Sequence, residues 1–246
     1  EMQIKFESEG IEIKVSYETE EDDDEEDDDE TDSEEEEDED DSSVDSAAEE
    51  VDLEFEVEFH SLIEFVDMDG DKQYNPDADE FIQEYQLNSF KELEYSKEEL
   101  KDEEGNLYYF KISTTDDVFK AHVYISDTFT TANGVTITPT QSKIDIEITN
   151  FNYLNDSSQL ALYTRIESEN DHEEEDDDET EDEEEGRAEN EDGVKTSKGE
   201  YSGIFTWAEN AEVDGETKAV IVSNLMSDDL DEDEQKLYIN YARGTS

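Results

Sequence analysis

Hydrophobic and polar residues alternate with a period of two along most of the chain. In KIDIEI, for example, Ile144, Ile146 and Ile148 would face a core while Asp145 and Glu147 face water. β-Branched and aromatic residues are frequent in such segments, as is typical of strands. Ten strands are predicted, over IEIKVSY (11–17), LEFEVEF (53–59), NLYYFKIS (106–113), VFKAHVYI (118–125), VTITP (135–139), KIDIEITNF (143–151), LALYTRI (160–166), YSGIFTWA (201–208), KAVIVSN (218–224) and KLYINYA (236–242).

Turn signals and strand spacing together indicate the fold class. Asn133-Gly134 and Asp214-Gly215 predict tight hairpin turns between neighbouring strands. The segment 90–100 is the one helix candidate, with a thin apolar face. Short strands at this spacing predict an all-β fold, an antiparallel β-sandwich that is jelly-roll-like and is interrupted by disordered polyacidic segments.

Two polyacidic tracts interrupt the strand pattern and define the domain organisation. The first, 18–41, has 21 acidic residues in 24 positions, and the second, 171–185, has 13 in 15, with no Lys or Arg in either. Ionised carboxylates without partners cannot be packed into a core, so both tracts are predicted to be solvated and disordered. The predicted units are an N-terminal strand piece, 1–17, that resembles the end of a preceding domain; a disordered linker, 18–50; and a β-sandwich domain, 51–246, with a disordered acidic insertion, 167–198.

The overall charge limits the classes of partner. The chain has 246 residues with 82 acidic and 16 basic residues, a formal net charge of -66. Nucleic acid and anionic membranes are therefore predicted not to be partners, because their phosphates are bound by Lys and Arg. Cysteine is absent, which excludes disulfides and thiolate metal sites. The chain opens at Glu1 without a signal-peptide pattern, which indicates a processed or partial chain.

Closely spaced carboxylates favour calcium as a ligand. An extended chain presents a side chain on each face about every 7 Å, and divalent cations relieve the resulting repulsion. Calcium accepts 6 to 8 oxygen ligands in loose geometry, so weak binding at many sites is expected, with a dissociation constant on the order of 10⁻⁴ to 10⁻³ M. The alternative is a solubilising linker or a tail for a basic partner. The aspartates predicted to bind calcium or mineral diffusely are Asp22, Asp23, Asp24, Asp27, Asp28, Asp29, Asp38, Asp40, Asp41, Asp176, Asp177 and Asp178.

A separate acidic cluster, VDMDGDKQYNPDADE (66–80), suggests a more ordered calcium loop. Asp67, Asp69 and Asp71 match the first, third and fifth positions of an EF-hand loop. The sixth position is Lys72 instead of glycine and the twelfth is Ala78 instead of glutamate, so an ordinary EF-hand is not expected. An Asx-rich connection is the alternative. The carboxylates that remain to close a looser calcium loop are Asp77, Asp79 and Glu80.

Catalysis finds little support in the residues. His60, His122 and His172 are scattered, and the chain has no glycine-rich phosphate loop, nucleophile elbow or HExxH motif. We therefore predict that the protein is not an enzyme. Two modification sites are predicted: glycosylation at Asn155 in the sequon Asn-Asp-Ser, and phosphorylation at Ser33 in Ser-Glu-Glu.

The β-patterned segments also resemble a known family. NLYYFKISTTDDVFKAHVYISDTFTTANGVTITPTQSKIDIEITNF, with LALYTRIESE, EEEGRAENEDGVKTS and FTWAENAEVDGE, resembles the acidic skeletal organic matrix proteins of stony corals, also called skeletal aspartic acid-rich proteins. The resemblance covers most of 51–246 and is carried by the β segments more specifically than by the tracts.

The resemblance implies a secreted protein of a calcium carbonate exoskeleton. Such a protein binds calcium or aragonite and influences mineral nucleation and growth, with other skeletal matrix proteins or polysaccharides as further partners. Family members can carry a signal peptide and a C-terminal membrane segment, which leaves both soluble secretion and membrane anchoring open. The family supplies no catalytic residues to map onto this chain.

Three functions are compatible with the acidic composition and the β pattern. The leading hypothesis is a secreted matrix protein that binds calcium or calcium carbonate through its acidic tracts. The alternative is an extracellular carbohydrate- or protein-binding β-sandwich with solubilising acidic linkers, in which Trp207 and the surface tyrosines would bind the ligand. A halophilic enzyme fits the total charge but not its clustering.

Overall fold

The computed structural model describes residues 2–6, 10–17, 53–100, 105–169, 188–190, 193–198, 201–225 and 234–245. Within these ranges the chain forms strands and turns, and no helix occurs. The strands are β1 (Met2–Phe6), β2 (Ile11–Tyr17), β3 (Leu53–Val66), β4 (Glu80–Gln86), β5 (Glu94–Leu100), β6 (Gly105–Ser113), β7 (Phe119–Ser126), β8 (Thr130–Ala132), β9 (Val135–Ile137), β10 (Ser142–Ile148), β11 (Gln159–Glu169), β12 (Ala188–Asn190), β13 (Gly193–Lys198), β14 (Tyr201–Thr206), β15 (Asn210–Val213), β16 (Glu216–Ala219), β17 (Ile221–Leu225) and β18 (Glu234–Tyr241).

Two sheets contain most of the strands. The larger has seven strands in the order β1-β2-β3-β11-β18-β17, and β4 pairs with the second half of β3. The smaller has four strands in the order β10-β7-β6-β5. Strands β12-β13-β14 form a third sheet, while β8-β9 and β15-β16 are separate hairpins. All strand pairs are antiparallel, which confirms the predicted antiparallel all-β fold.

One hydrophobic core contains side chains from both large sheets. Ile11, Val57 and Leu162 come from the seven-stranded sheet, and Phe119 and Val123 come from the four-stranded sheet. Burial of such side chains stabilises the fold by roughly 1.5–3 kcal/mol each. A core shared in this way favours the predicted sandwich. The jelly-roll-like order of strands remains a prediction.

A β-bulge divides the long strand β3 into two halves with different environments. Phe59 pairs with Thr164 and Ser61 with Tyr163, so His60 is the extra residue. Before the bulge, Val57 and Phe59 face the shared core. Beyond it, Ile63 and Phe65 face the opposite side of the sheet, where they form a second cluster with Tyr74, Ala161 and Tyr238.

Nine of the ten predicted strands each fall on one observed strand, but the tenth, 218–224, includes the end of β16, a break at Val220 and most of β17. The helix candidate was wrong. Residues 94–100 form β5, which pairs with β6, and Phe90 bridges to Thr114. An isolated segment with a thin apolar face gains little as a helix, whereas β6 offers it backbone hydrogen bonds along its whole length. Tyr95 also packs against Phe110 at a ring distance of 5.1 Å.

The bounds of the predicted insertion, 167–198, differ at both ends. Strand β11 continues to Glu169, and β12 and β13 lie inside the predicted range. The acidic linker and the second tract themselves lie outside the described residues.

Both predicted hairpin turns are confirmed. Asn133 and Gly134 connect β8 and β9 with φ angles of 48° and 77°. Asp214 and Gly215 connect β15 and β16 with φ angles of 54° and 78°. Two successive positive φ values define the type I′ turn, whose twist matches that of the flanking strands.

Glu64 is a fully buried carboxylate near the end of β3. Its oxygens accept hydrogen bonds from the backbone amides of Leu154 and Asn155 at 2.9–3.0 Å. Ser158 Oγ donates at 2.5 Å and Gln83 Nε2 at 2.6 Å. Burial alone would raise the pKa of Glu64, but these four donors outweigh it and lower the pKa below its ordinary value. The charge therefore fixes the connection between β10 and β11 against β3 and β4.

Replacing Glu64 with glutamine should lower the free energy of unfolding by roughly 2–4 kcal/mol at pH 7, because the amide cannot satisfy all four donors. Since the folded-state pKa is lowered, the stabilisation exists above pH 4.5 and is lost as the pH falls through the folded-state pKa. Urea unfolding at pH 7 and at pH 3 measures both effects. Glu80→Gln, on an exposed residue, is the control, and equal losses in the two variants would contradict this role.

Candidate functional site

All twelve aspartates predicted to bind calcium diffusely lie outside the described residues, so their role stays a prediction. They are Asp22, Asp23, Asp24, Asp27, Asp28, Asp29, Asp38, Asp40, Asp41, Asp176, Asp177 and Asp178, together with the predicted phosphorylation site Ser33. The described strands do fix the points at which the chain leaves and re-enters the fold around the tracts.

These exit points lie at one end of the seven-stranded sheet. Tyr17, the last residue of β2, pairs with Leu53, the first residue of β3. Glu54 pairs in turn with Glu169, the last residue of β11. Neighbouring strands are about 4.8 Å apart, so the exits of the two tracts are separated by roughly 10 Å. We call this end of the sheet the acidic end.

A third acidic connection starts at the same end. Strand β17 ends at Leu225 and β18 begins at Glu234, which pairs with Glu167 of β11. The residues between them, 226–233, include five acidic residues. Three acidic connections therefore leave adjacent strands of one sheet.

The sheet face beside the acidic end carries charges in cross-strand rows. In one row, Glu12 pairs with Glu58 and Glu58 with Arg165. In the next row, Lys14 pairs with Glu56 and Glu56 with Glu167. These residues alternate along their strands with core residues such as Val57, so they occupy the opposite face.

Three carboxylates of this face are close enough to share a metal ion. Oxygens of Glu12, Glu56 and Glu58 lie within 4.8 Å of one another. Cationic side chains already compensate two of them. Lys5 forms an ion pair with Glu12, and Arg165 Nε lies 3.4 Å from Glu58. We interpret these rows as charge pairing across the sheet.

Glu56 and Glu58 have opposite pKa shifts. Burial and repulsion from the neighbouring carboxylates raise the pKa of Glu56 from 4.5 to about 7. A hydrogen bond from His60 lowers the pKa of Glu58 and, with Arg165, outweighs the effect of burial. His60 Nε2 lies 2.9 Å from Glu58 and the ring stacks on Tyr163 at 5.0 Å.

At the other end of β3, residues 67–79 form the connection to β4, here called the aspartate loop. Tyr74 anchors this loop on the second hydrophobic cluster, with ring distances of 5.2 Å to Phe65 and 4.9 Å to Tyr238. The backbone amide of Tyr74 also donates to Asn240 Oδ1 at 2.8 Å. The aromatic contact and the hydrogen bond hold the loop against the ends of β3 and β18.

Side-chain carboxylates organise the backbone of the aspartate loop. Asp67 accepts hydrogen bonds from the amides of Gly70 and Lys72 at 2.6 and 3.0 Å. Asp69 accepts from the amide of Asp71 at 3.2 Å. Lys72 has a φ angle of 66°, the left-handed conformation that favours glycine. The loop therefore keeps at its sixth position the backbone handedness expected of glycine, although lysine is present.

The structure brings together the three predicted ligands of this loop. Oxygens of Asp67, Asp69 and Asp71 lie within 4.8 Å of one another. Two ligands of one calcium ion can be no more than roughly 5 Å apart, twice the length of a calcium–oxygen bond. These carboxylates could thus ligate a single ion.

Asp79, at the far end of the loop, folds back toward the residues of this cluster. Its two oxygens accept hydrogen bonds from the amides of Met68 and Asn75 at 2.9 and 2.8 Å. A hydrogen bond from the Asp71 amide lowers the pKa of Asp69, but desolvation and the charges of Asp71, Asp79 and Asp67 outweigh it and raise the pKa. Of the three carboxylates considered for closing the loop, Asp79 is the one that folds back over it.

The other sequence-predicted residues have mainly local partners. The side chain of Asn155 accepts a hydrogen bond from the amide of Ser157 at 2.8 Å, an Asx turn within the sequon. His122 Nδ1 lies 2.7 Å from the hydroxyl of Tyr109. Trp207 is half-buried and packs with Phe205 against a third hydrophobic cluster, formed by Ile166 and Leu237. Its indole ring is therefore only partly available to a ligand.

Sequence reasoning missed Glu64 and the exact role of Asp79. A glutamate within LEFEVEFHSLIEFV carries no local signal that distinguishes a buried carboxylate from an exposed one. The bulge at His60 changes the face that each later residue occupies, and it is visible only from the pairing with β11.

No protein-family model, curated protein or solved structure matches the chain significantly. Within the described part of the chain, no helix is long and apolar enough to cross a membrane.

Replacing Glu56 with glutamine should raise the free energy of unfolding by about 1 kcal/mol at pH 8, after allowance for solvent screening. The folded-state pKa of about 7 lies above the ordinary 4.5, so ionisation destabilises the fold as the pH rises through this interval. The gain should nearly disappear at pH 4, where the carboxyl group is mostly protonated in both states. Denaturant unfolding at the two pH values measures it.

Glu58→Gln is the matched comparison for this prediction. Its carboxylate has a lowered pKa, so this variant should be less stable than the unchanged protein at pH 8. A stability loss in the Glu56 variant at pH 8 would show that repulsion does not dominate at this position.

Proposed function

We propose that this chain is a secreted acidic matrix protein of a calcium carbonate skeleton. In this proposal the Asp/Glu tracts bind calcium ions and mineral surfaces and thereby modulate nucleation and growth of the mineral. The composition of the tracts, with 21 of 24 and 13 of 15 acidic residues, supports binding of cations. The resemblance of the β segments to coral skeletal matrix proteins supports the biological setting. The role is non-catalytic.

The observation that carries the proposal is the common origin of the acidic connections. Tyr17 and Leu53 flank the first tract and lie two strands or fewer from Glu169, where the second begins. Segments tethered roughly 10 Å apart bind a shared surface with a high effective concentration. Weak individual contacts to calcium or to a crystal face would therefore add up at the acidic end.

The aspartate loop supports a second, more ordered calcium site. Its carboxylates converge within 4.8 Å and its backbone is held by internal hydrogen bonds. Less chain entropy is lost when a preformed loop binds an ion than when a disordered tract does so. We expect a dissociation constant on the order of 10⁻⁴ to 10⁻³ M, as in extracellular calcium modules.

The proposed location is the extracellular skeletal matrix, with membrane anchoring through a C-terminal segment as the alternative. Other skeletal matrix proteins or polysaccharides are the proposed further partners, and nucleic acid is not a proposed partner. The net charge of -66 supports partners that are cationic or that bind through calcium bridges.

The alternative function is that of an extracellular carbohydrate- or protein-binding β-sandwich. The four-stranded sheet offers one feature in its favour. Tyr109 and Tyr124 pack with ring centroids 5.1 Å apart, and Lys143 Nζ lies 5.4 Å from the Tyr124 centroid. Aromatic side chains of this kind can contact a sugar ring or a partner protein. In this alternative the tracts would serve only as solubilisers.

Replacing both acidic tracts by uncharged residues tests the proposed function. The pairing of Tyr17 with Leu53 allows residues 18–52 to be replaced by an Asn-Gly turn between β2 and β3. The second tract, 171–185, can be replaced by an equally long Ser/Gly segment. The double variant should bind several-fold fewer calcium ions in equilibrium dialysis and lose adsorption to calcium carbonate crystals, because it lacks 38 of the 82 acidic residues.

The single variants separate additive from multivalent binding. If the tracts act together, each single replacement should reduce crystal adsorption by more than half. Unchanged adsorption and calcium uptake in the double variant would refute the proposal. Retained glycan or protein binding in that variant would favour the alternative function.

The aspartate loop is best tested in the variant that lacks both tracts. Calcium should shift the backbone amide resonances of Gly70, Asp71 and Lys72 in a saturable way. Asp69→Asn should weaken this binding about tenfold, because one anionic ligand is lost. Glu212→Gln, on an exposed residue of β15, is the control for loss of one charge. Equal affinities in the Asp69 and Glu212 variants would exclude a site in the loop.

A further inference from the structure

A hollow of about 250 Å³ lies at the end of the seven-stranded sheet opposite the acidic end. It lies where the aspartate loop, the start of β11 and β17, and the end of β18 meet. No acidic residue is among the described residues that line it, although 82 of the 246 residues of the chain are acidic. Its wall is formed mainly by Lys72, Gln159, Lys218, Ile221, Asn240 and Arg243.

Two lysines supply accessible positive charge to this hollow. Lys72 is exposed, and its ammonium group has no ion-pair partner among the residues that the structure describes. Lys218 pairs with Glu216 at 2.5 Å, and their side chains are 41% and 71% exposed. An ion pair so open to water contributes little stability, so an incoming anion can replace the Glu216 carboxylate at small cost.

Arg243 supplies a third charge in a fixed orientation. Its guanidinium stacks on the ring of Tyr153 at 4.1 Å. One nitrogen donates to the carbonyl oxygen of Asn155 at 2.5 Å and to Ser158 Oγ at 3.1 Å. Asp156 lies 3.8 Å away and is fully exposed. A guanidinium held in this way keeps further N–H donors available for an oxyanion.

The wall behind the charges is rigid. Asn240 is 2% exposed, and its amide nitrogen donates to the carbonyl oxygens of Ile221 and Tyr238 at 2.9 Å. Its amide oxygen accepts from the backbone amide of Tyr74. Binding to such a preformed wall requires little additional ordering of the chain.

The acidic tracts contribute little to the electrostatic potential at this hollow. Gln159 begins β11 and Glu169 ends it, so the hollow and the exit of the second tract are separated by roughly 30 Å along the strand. The Debye length at physiological ionic strength is about 8 Å. The local charges therefore decide which ions bind.

From these observations we propose that the hollow binds an oxyanion, either a free inorganic ion or a carboxylate of an acidic peptide segment. Lys72 and Lys218 provide the charge, and Arg243 provides oriented N–H donors. Anion binding in the hollow does not require calcium in the tracts or in the aspartate loop, since the proposed ligand groups are cationic side chains.

Amide chemical shifts of the full chain in metal-free buffer test this proposal. The two probes are inorganic phosphate and a synthetic nonapeptide with the sequence of residues 21–29, EDDDEEDDD. At least one probe should shift the amides of Ile221, Asn240 and Ala242 in a saturable way. The double variant Lys72→Gln/Lys218→Gln should bind that probe about tenfold more weakly, because two charge-assisted contacts are lost.

The matched control is Lys91→Gln/Lys97→Gln, which removes two positive charges away from the hollow and has the same net charge. It should retain the affinity of the unchanged protein. Saturation by phosphate alone would assign the site to free oxyanions, and saturation by the peptide would assign it to acidic segments. Absence of saturable shifts with both probes, or equal weakening in both double variants, would overturn the proposal.

Discussion

Repulsion between ionised carboxylates constrains where every segment of this chain can lie. With 82 acidic and 16 basic residues, few carboxylates can have a cationic partner. Strand alternation solves part of the problem, since Glu56 and Glu58 occupy the face of β3 opposite to Val57. Glu64 is buried, and four hydrogen-bond donors compensate its charge. The longest acidic runs can be accommodated in neither way, because they have no alternating apolar positions and too many charges for buried donors to compensate. These runs occur in the sequence between strands.

This constraint gives the seven-stranded sheet two chemically different ends. Tyr17, Leu53 and Glu169 lie at the acidic end, where the chain leaves for the tracts. The aspartate loop and the cationic hollow lie at the other end, where Tyr74 and Asn240 provide a rigid base. A polar binding site needs side chains that packing and hydrogen bonds hold in place. Repulsion between the many carboxylates at the acidic end would oppose the formation of such a site there. Separation of the two ends by roughly 30 Å lets both exist in one small fold.

Sequence patterns predicted the parts of this fold that depend on local chemistry. The alternation in KIDIEI identifies β10, and the positive φ angles of Asn133 and Gly134 follow from the preferences of those two residues. The aspartates of the loop were recognised because their spacing places short carboxylates next to successive backbone amides.

Features that depend on pairing between distant segments could not be predicted in the same way. β5 is a strand because β6 pairs with it, whereas its own sequence, EYSKEEL, has no strong preference. Glu64 and Leu154 are ninety residues apart in sequence, and only the folded chain brings them into contact. The cationic hollow likewise combines residues from separate connections, each of which looks ordinary within its own segment.

Hydrogen bonds connect the aspartate loop with residues that line the cationic hollow, which implies that ligands of the two sites would interact. Asp67 accepts hydrogen bonds from the backbone amide of Lys72 and, at 3.5 Å, from Gln159 Nε2, and both residues line the hollow. The negative charge of Asp67 thus opposes an anion in the hollow. A cation bound to Asp67 would neutralise this charge, and linkage requires the effect to be reciprocal. Calcium at the loop and an oxyanion in the hollow would therefore strengthen each other's binding, and the pair would present opposite ions side by side on one rigid surface.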